Sequence, residues 1–537
     1  MKNLFKLLST LFFALFIHCT SFCQIQNILI SNTNAPEEPA VAINPNNTNQ
    51  IVVGSNVNIG NNYTLAYYFS SNSGYNWSSG TLTSTNGTPY CDPCVAVDAD
   101  GNFYYSCLRN RNPTDNIFIF KSTNGGMNWS DGVYFGQVAR RQADMPSMCI
   151  DVSNSNYRNN IYMIWTGFGY SSYQYDTSEA YFARSTDNGL TFNSPIKISS
   201  APCSYVALIS CLCCTGSNSE VYAVWYNMNG IAFQKSTDGG ITWLTNDIQA
   251  MTQTLSWRES YLCFFNNSIS FACDLSNSSS RGKIYISWAD TRTGNRSDVW
   301  IINSTNGGTN WSNPTRINSG PYNTTKAAFY PKLTVDQSNG NLYAAYYDDK
   351  YYSSYSDLDL FVARSTDGGV TFENSRVNSN KIYLCTSMPT FYGDYIGISA
   401  VNNKIRPVWM NAQTSFAIYT AIIDTFTIGI RKIETELPDT YKLFQNYPNP
   451  FNPSTIIKFQ VKDSRLVILK VYNILGKEIA TLVNEKLSPG VYEIPFSGKQ
   501  YNNNQITSGV YFYKIIAIDP TNKTGLFTDT RKLILIK

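Results

Sequence analysis

The sequence predicts an all-β protein: a seven-bladed β-propeller, with six blades as the alternative, followed by a small Ig-like β-sandwich. Three observations predict it. One eight-residue turn pattern recurs six times between residues 70 and 372. Apolar strand segments precede each copy in a fixed order. Aromatic residues make up 14% of the 537-residue chain and charged residues only 14%, a balance suited to buried strands and too apolar for disorder.

The elements follow in chain order. Lys2 and Lys6 precede an apolar run from Leu7 to Ile17, and Cys19-Thr-Ser-Phe-Cys23 then brings small residues. This is the pattern of a signal peptide over residues 1–23, cut near Cys23. Acylation of Cys19 or Cys23 is the alternative, for which His18 and Phe22 are poor preceding residues. The run is too short to span a bilayer, and no later stretch reads as membrane-spanning.

Residues 26–425 carry the repeat. Its copies are Ser70-Ser-Asn-Ser-Gly-Tyr-Asn-Trp77, Ser122-Thr-Asn-Gly-Gly-Met-Asn-Trp129, Ser185-Thr-Asp-Asn-Gly-Leu-Thr-Phe192, Ser236-Thr-Asp-Gly-Gly-Ile-Thr-Trp243, Ser304-Thr-Asn-Gly-Gly-Thr-Asn-Trp311 and Ser365-Thr-Asp-Gly-Gly-Val-Thr-Phe372. The third-position residues Asn72, Asn124, Asp187, Asp238, Asn306 and Asp367 suit a structural role, accepting backbone N–H bonds inside a turn. Glycine stands fifth in all six copies, as a position with φ > 0 requires. The closing Trp or Phe is expected to fold back over its own turn.

Each turn follows a short strand such as Ile231-Ala-Phe-Gln234. A near-continuous apolar strand lies before that, such as Ile161-Tyr-Met-Ile-Trp165 or Ile284-Tyr-Ile-Ser-Trp288. An innermost strand opens many units, as in Pro39-Ala-Val-Ala-Ile43 and Pro331-Lys-Leu-Thr-Val335. Strands apolar on both faces need cover on both, which radially stacked sheets supply. A seventh unit near Tyr395–Ile422 lacks a fourth strand, and Asn27-Ile-Leu-Ile30 at the other end is an orphan. Pairing the two would leave no open edge.

Residues 426–440 read as a linker. Residues 441–537 then alternate strands with Gly/Pro turns, from Ile456-Ile-Lys-Phe-Gln-Val461 to Lys532-Leu-Ile-Leu-Ile-Lys537, as a small sandwich does.

Composition excludes several chemistries. The only histidine is His18, inside the expected leader, so Ser-His-Asp triads, zinc sites built on His and imidazole proton shuttles are excluded. A net charge of +3 gives no nucleic-acid footprint. Of 13 cysteines, those after Cys23 are candidates for disulfides in an exported protein: Cys91 with Cys94, the group Cys203, Cys211, Cys213 and Cys214, and Cys263 with Cys273. No metal site is assigned and no cofactor is identified. The oxygen-rich loops Asp98-Ala-Asp100 and Asp357-Leu-Asp359 are the candidates for Ca2+.

The six turns resemble the Asp boxes (BNR repeats) of the sialidase superfamily, whose pattern is Ser-x-Asp-x-Gly-x-Thr-Trp. That resemblance implies a β-propeller and leaves activity open. The tail resembles the type A C-terminal sorting domain of type IX secretion substrates. Its matching pieces are the QNYPNPFNPST opening, Val471-Tyr-Asn-Ile-Leu-Gly476 with Glu478, the SGVYFY strand and the basic-apolar end. It implies that 441–537 engages the type IX machinery, and that the protein is secreted or held on the outer cell surface without spanning a membrane.

In up-and-down blades the boxes share one end with the turns joining strands one and two. A ligand site is expected at the opposite end, on the loops joining strands two and three and on the blade connections. The candidate catalytic residues there are Asp290, Arg292, Asp394, Tyr395, Arg258, Glu259, Asp144 and Arg141. Arg109, Asp349 and Tyr351 are ligand-binding candidates. Asp290-Thr-Arg292 and Gly393-Asp-Tyr395 are preferred because each abuts a core strand. The leading functional expectation is binding of glycan, including surface polysaccharide, or of protein ligands. One alternative is an exo-acting, sialidase-like glycoside hydrolase, in which Arg side chains bind a carboxylate and a Tyr acts as nucleophile. No Arg-Ile-Pro motif stands near the first blade, and no Arg triad can be assigned. The other alternative is a structural or adhesive surface protein.

Overall fold

The computed structural model describes residues 25–536 except 61, 110–115, 172–173, 201–202, 205–208, 253–268, 293–296, 320–325, 355–356, 384–394, 413–415, 425–430, 435–437, 453, 464, 488, 498–499, 502–503 and 519–524. The expected leader lies outside the described residues. Every named element is a β-strand. No helix among the described residues is long and apolar enough to cross a membrane.

One compact unit spans Ile25–Phe426, and Thr427–Lys537 belongs to another. In the first unit the described strands form seven antiparallel sheets, each with a main path of four strands in sequence order except the last. The first strands of the seven are Glu37–Ile43, Cys94–Val97, Arg141–Ile150, Ile209–Thr215, Ser270–Cys273, Ala328–Asp336 and Gly397–Val401. Each touches the next in turn, and the seventh touches the first. The second strands, such as Val221–Asn227 and Ile284–Asp290, are buried almost throughout, which is why they read as unbroken apolar runs. The seventh sheet takes its fourth strand from the other end of the unit: Gln26–Ser31 pairs with Ala417–Ile422, with Gln26 opposite Ile422.

The repeated turns join third and fourth strands, and their hydrogen bonds recur. In the fourth sheet Ser236 Oγ donates to Asp238 Oδ1 (2.7 Å), and the Gly240 amide donates to Ser236 Oγ (2.8 Å). The Thr242 amide and hydroxyl donate to the Asp238 carboxylate at 2.9 and 2.6 Å. Where Asn replaces Asp the amide bond survives, as from Asn310 N to Asn306 Oδ1 (2.9 Å). The fifth-position glycines all have left-handed φ, for instance +82° at both Gly240 and Gly308. At Gly308 a Cβ would also lie 2.1 Å from Phe233 of the preceding sheet, so contact as well as conformation demands glycine.

In the first box the closing aromatic folds back over its own turn, Trp77 Nε1 donating to the Gly74 carbonyl (2.9 Å), but other closing rings reach the neighbouring sheet. Trp243 meets Phe182 of the third sheet (centroids 4.9 Å apart), Trp311 meets Phe233 of the fourth (5.3 Å), and Phe192 stacks on Phe135 of the second (3.7 Å). A sheet buried on both faces leaves room for a large ring only in the seam with its neighbour. A cation strengthens the same seam. Arg184, Lys235, Lys283 and Arg406 each donate to the carbonyl of the fourth box residue in the following sheet: Gly239 (2.7 Å), Gly307 (3.2 Å), Gly368 (3.2 Å) and Ser73 (2.9 Å).

The second unit contains two four-stranded sheets that share one apolar core, with Phe459, Ile494 and Phe496 from one and Leu469, Tyr513 and Leu533 from the other. Part of the stretch expected to be a linker is structured: Arg431–Glu434 pairs with Gly490–Ser497. The strand Gly490–Ser497 would otherwise be an edge with unpaired backbone groups, and the segment covers it.

Candidate functional site

The ends of the sheets opposite the boxes are built from a recurrent irregularity in the first strands. Register shifts mark bulges between Glu37 and Ala40, Asp144 and Ser147, Ile209 and Leu212, and Phe329 and Lys332. At each bulge a residue other than glycine takes left-handed φ: Glu38 (53°), Met145 (48°), Ser210 (56°) and Tyr330 (53°). Asp92 (60°) does the same just before Cys94–Val97. Such conformations cost roughly 1–3 kcal/mol each, and bulges re-aim side chains. The device was not foreseen. Its only sequence sign is a proline after four of the five residues, Pro39, Pro93, Pro146 and Pro331, and a residue before proline is normally extended.

The bulges bring carboxylates together. Glu38 is buried and accepts from Asn56 Nδ2 (2.7 Å). Asp92 Oδ2 accepts from the Met145 amide (2.9 Å), tying the second sheet to the third. The Tyr395 phenol lies within electrostatic reach of Glu38 and Asp92, and the Cys91 thiol within reach of Asp92, Glu38 and Asp144. Burial pushes the Tyr395 phenol well above its usual range, and the two carboxylates push it further. Tyr395 is therefore a neutral hydroxyl at physiological pH, able to donate and accept hydrogen bonds. Tyr63 shows the same pattern from burial, Glu37, Tyr90 and Glu38, and its ring sits 6.2 Å from Tyr90.

Of the expected catalytic residues, then, Asp144 and Tyr395 fall in one neighbourhood. Arg258, Glu259 and Asp394 lie outside the described residues. Arg141 is committed elsewhere: it pairs with Glu179 (2.8 Å) and donates to Thr177 Oγ1 (2.7 Å).

Asp290 and Arg292 form a closed pair. Asp290 is buried and accepts from Trp288 Nε1 (2.7 Å), from the Arg292 amide (3.1 Å) and from the Arg292 guanidinium. That guanidinium lies 5.0 Å from the Trp288 ring centroid and 5.1 Å from that of Trp300. The sixth sheet repeats the plan. Lys350 pairs with Asp348 (3.0 Å) and sits 3.7 Å from the Phe361 ring centroid, beside Tyr351. Arg109 lies over Tyr134 (4.7 Å) and Phe118 (5.7 Å). Asp349 is buried and accepts from the Ala327 amide (2.7 Å), fixing its loop. These residues are used in holding the strand ends.

The calcium loops are likewise filled by the protein. Asp98 accepts from the Asp100 and Asn102 amides and the Tyr104 hydroxyl. Asp357 pairs with Lys381 (2.8 Å) and Asp359 with Arg376 (2.8 Å). Among the described residues no group of three His, Cys, Asp or Glu side chains is placed to hold a metal ion.

Comparison with known proteins adds one family. Residues 445–527 match the secretion system C-terminal sorting domain. The tail is a sorting domain. The match supports secretion to the cell surface. No curated protein matches the chain. Solved structures with partial likeness include a Hadza microbial sialidase (12% identity, 71% of this chain and 75% of that one, TM-score 0.42). An ulvan lyase gives 12% identity over 74% of this chain and 96% of its own, with a TM-score of 0.42. An α-L-arabinanase of Penicillium chrysogenum gives 13% identity over 60% and 94%, with a TM-score of 0.39.

Proposed function

We propose that Ile25–Phe426 is a seven-bladed β-propeller of the Asp-box type. Its sorting tail delivers it through type IX secretion, after an amino-terminal signal peptide, to the outer surface. There it binds neutral, hydroxyl-rich glycan at the end opposite the boxes. The observation that carries the binding site is the grouping of Glu38 and Asp144, on bulged first strands, with Asp92 and Tyr395, just before the first strands of their sheets. Carboxylates and neutral phenols accept and donate the hydrogen bonds that sugar hydroxyls need, and tyrosine rings offer an apolar face.

The same grouping disfavours a sialidase-like reaction. Its negative charge repels a substrate carboxylate. Among the described residues, Arg141 and Arg292 of the expected set already bind Glu179 and Asp290. A structural or adhesive role is the reading that remains if no sugar binds.

The test is a glycan array probed with the full chain and with Tyr395→Phe. The expected result is binding to neutral glycans that Tyr395→Phe weakens about tenfold, as loss of a buried hydrogen bond to ligand does, with an unchanged melting temperature. Preference for sialylated glycans, or turnover of a fluorogenic sialoside, would overturn it in favour of the hydrolase. A blank array would leave the adhesive role.

A further inference from the structure

Nine cysteines among the described residues are thiols: Cys91, Cys94, Cys107, Cys149, Cys203, Cys211, Cys213, Cys214 and Cys273. Five of them, Cys149, Cys211, Cys213, Cys214 and Cys273, lie on the first strands of three successive sheets, each touching the next. Cys213 and Cys214 are neighbours in Ile209–Thr215, and adjacent side chains in a strand point to opposite faces. One thiol therefore faces the third sheet and the other the fifth.

The contacts agree with that alternation. Cys213 Sγ lies 3.7 Å from the Ser147 carbonyl oxygen and 3.6 Å from that of Tyr162, both in the third sheet. Tyr162 is the ladder partner of Cys149, and Cys149 packs into the same apolar cluster as Cys213. On the other side, Cys214 packs into the cluster that contains Cys273, the last residue of the fifth sheet's first strand.

We propose that this adjacent pair makes two disulfides, Cys149–Cys213 and Cys214–Cys273, which sew the third, fourth and fifth sheets together. The proposal rests on export to an oxidising compartment, which the sorting tail supports. Each bond forms by exchange with a disulfide-bearing thiol oxidoreductase. The donor's S–S bond breaks and the new one forms. Two thiol protons pass to the donor's sulfurs, so that the cysteines lose two electrons and the donor gains them. Burial holds the Cys149 and Cys214 thiols well above their usual range, with Cys213 and Cys273 beside them adding to the shift. Thiols held neutral are poor nucleophiles, so the exchange takes place before the sheets close.

The test uses the full chain, reduced and denatured, then refolded in a glutathione redox couple, alkylated and digested without reductant. Mass spectrometry should find a three-peptide species joining Cys149, the Cys213-Cys214 segment and Cys273, with four fewer titratable thiols than the reduced chain. Cys149→Ser should keep the Cys214–Cys273 link and expose one more thiol. If that variant does not fold, the wild-type digest decides. Complete alkylation, a Cys213–Cys214 bond, or links from this segment to Cys203 or Cys211 would overturn the pairing. Links in the refolded chain with thiols in the chain isolated from its native cells would uphold the pairing and sink the export reading.

Discussion

The two ends of the seven sheets solve the same packing problem differently. At the box end one solution is repeated. A glycine with left-handed φ lets the turn lie against the preceding sheet, an aromatic ring fills the seam, and in four seams a cation reaches the fourth carbonyl of the next box. At the other end the strand tips differ from sheet to sheet. Arg292 and Lys350 share one plan, a cation paired with a carboxylate over aromatic rings, whereas Arg141 pairs with Glu179, Glu38 occupies a strained bulge and Asp92 a strained position just before its strand. Repetition marks an end whose task is cohesion. Variation over a shared backbone device is what ligand sites on a rigid scaffold look like.

Arg406→Ala should break that contrast most severely. Arg406 is fully buried and donates to Ser73, Ile405 and Asp424, joining the seventh sheet to the first box. Its loss strands buried carbonyls and leaves a cavity, costing roughly 3 kcal/mol. Denaturant unfolding of the full chain should show it as a lower midpoint. A change within about 0.5 kcal/mol, the range of ordinary surface substitutions, would mean that the seam between the seventh and first sheets does not matter.

A smaller loss is expected at the other end, from Arg292→Ala. By position this residue is a candidate catalytic residue on the loop face. Its real partners are Asp290, which is 2% exposed, and two indole rings. Among the described residues, truncation leaves Asp290 buried with the Trp288 indole and a backbone amide as donors, and should cost about 2 kcal/mol. Glycan binding by the surviving folded protein should not change. Unchanged stability with lost binding would return Arg292 to the site and blur the distinction between the two ends.

What could be read from the sequence follows the same division. The boxes were legible because glycine, Asp or Asn, and a closing ring are local requirements of one turn. The ring's destination was not, since a seam between sheets has no local signature. Arg406, within Ile405-Arg-Pro-Val-Trp409, looks like any polar residue in a strand; its burial depends on a turn more than three hundred positions away. The closed pair could have been foreseen, because an Asp at a strand end accepts the amide two residues on and so turns Arg292 back towards it. Glu38 and Asp92 could be placed at strand tips, but their left-handed backbone ran against what the following prolines suggest.

The smallest effect concerns protons, and it separates boxes from one another. Burial alone would raise the Asp238 carboxyl, yet the Thr242 hydroxyl and amide, Ser236 and the Ile241 amide outweigh it and bring it down to about 2. An unfolded aspartate titrates near ~3.9. The folded value is the lower one, so Asp238 contributes stability above about pH 4 and loses it as pH falls towards about 2. Because the carboxylate is largely open to solvent, water screens the gain, which should be at most about 1 kcal/mol. Asn306 shows that an amide side chain keeps the backbone bond within the turn but carries no titrating group. Asp238→Asn should therefore flatten the fall in stability between about pH 4 and about pH 2. Urea titrations at those two pH values would measure it. An equal acid dependence in both proteins would mean that the turn's hydrogen bonds hold the acid and its anion alike, and that Asp and Asn boxes differ in sequence only.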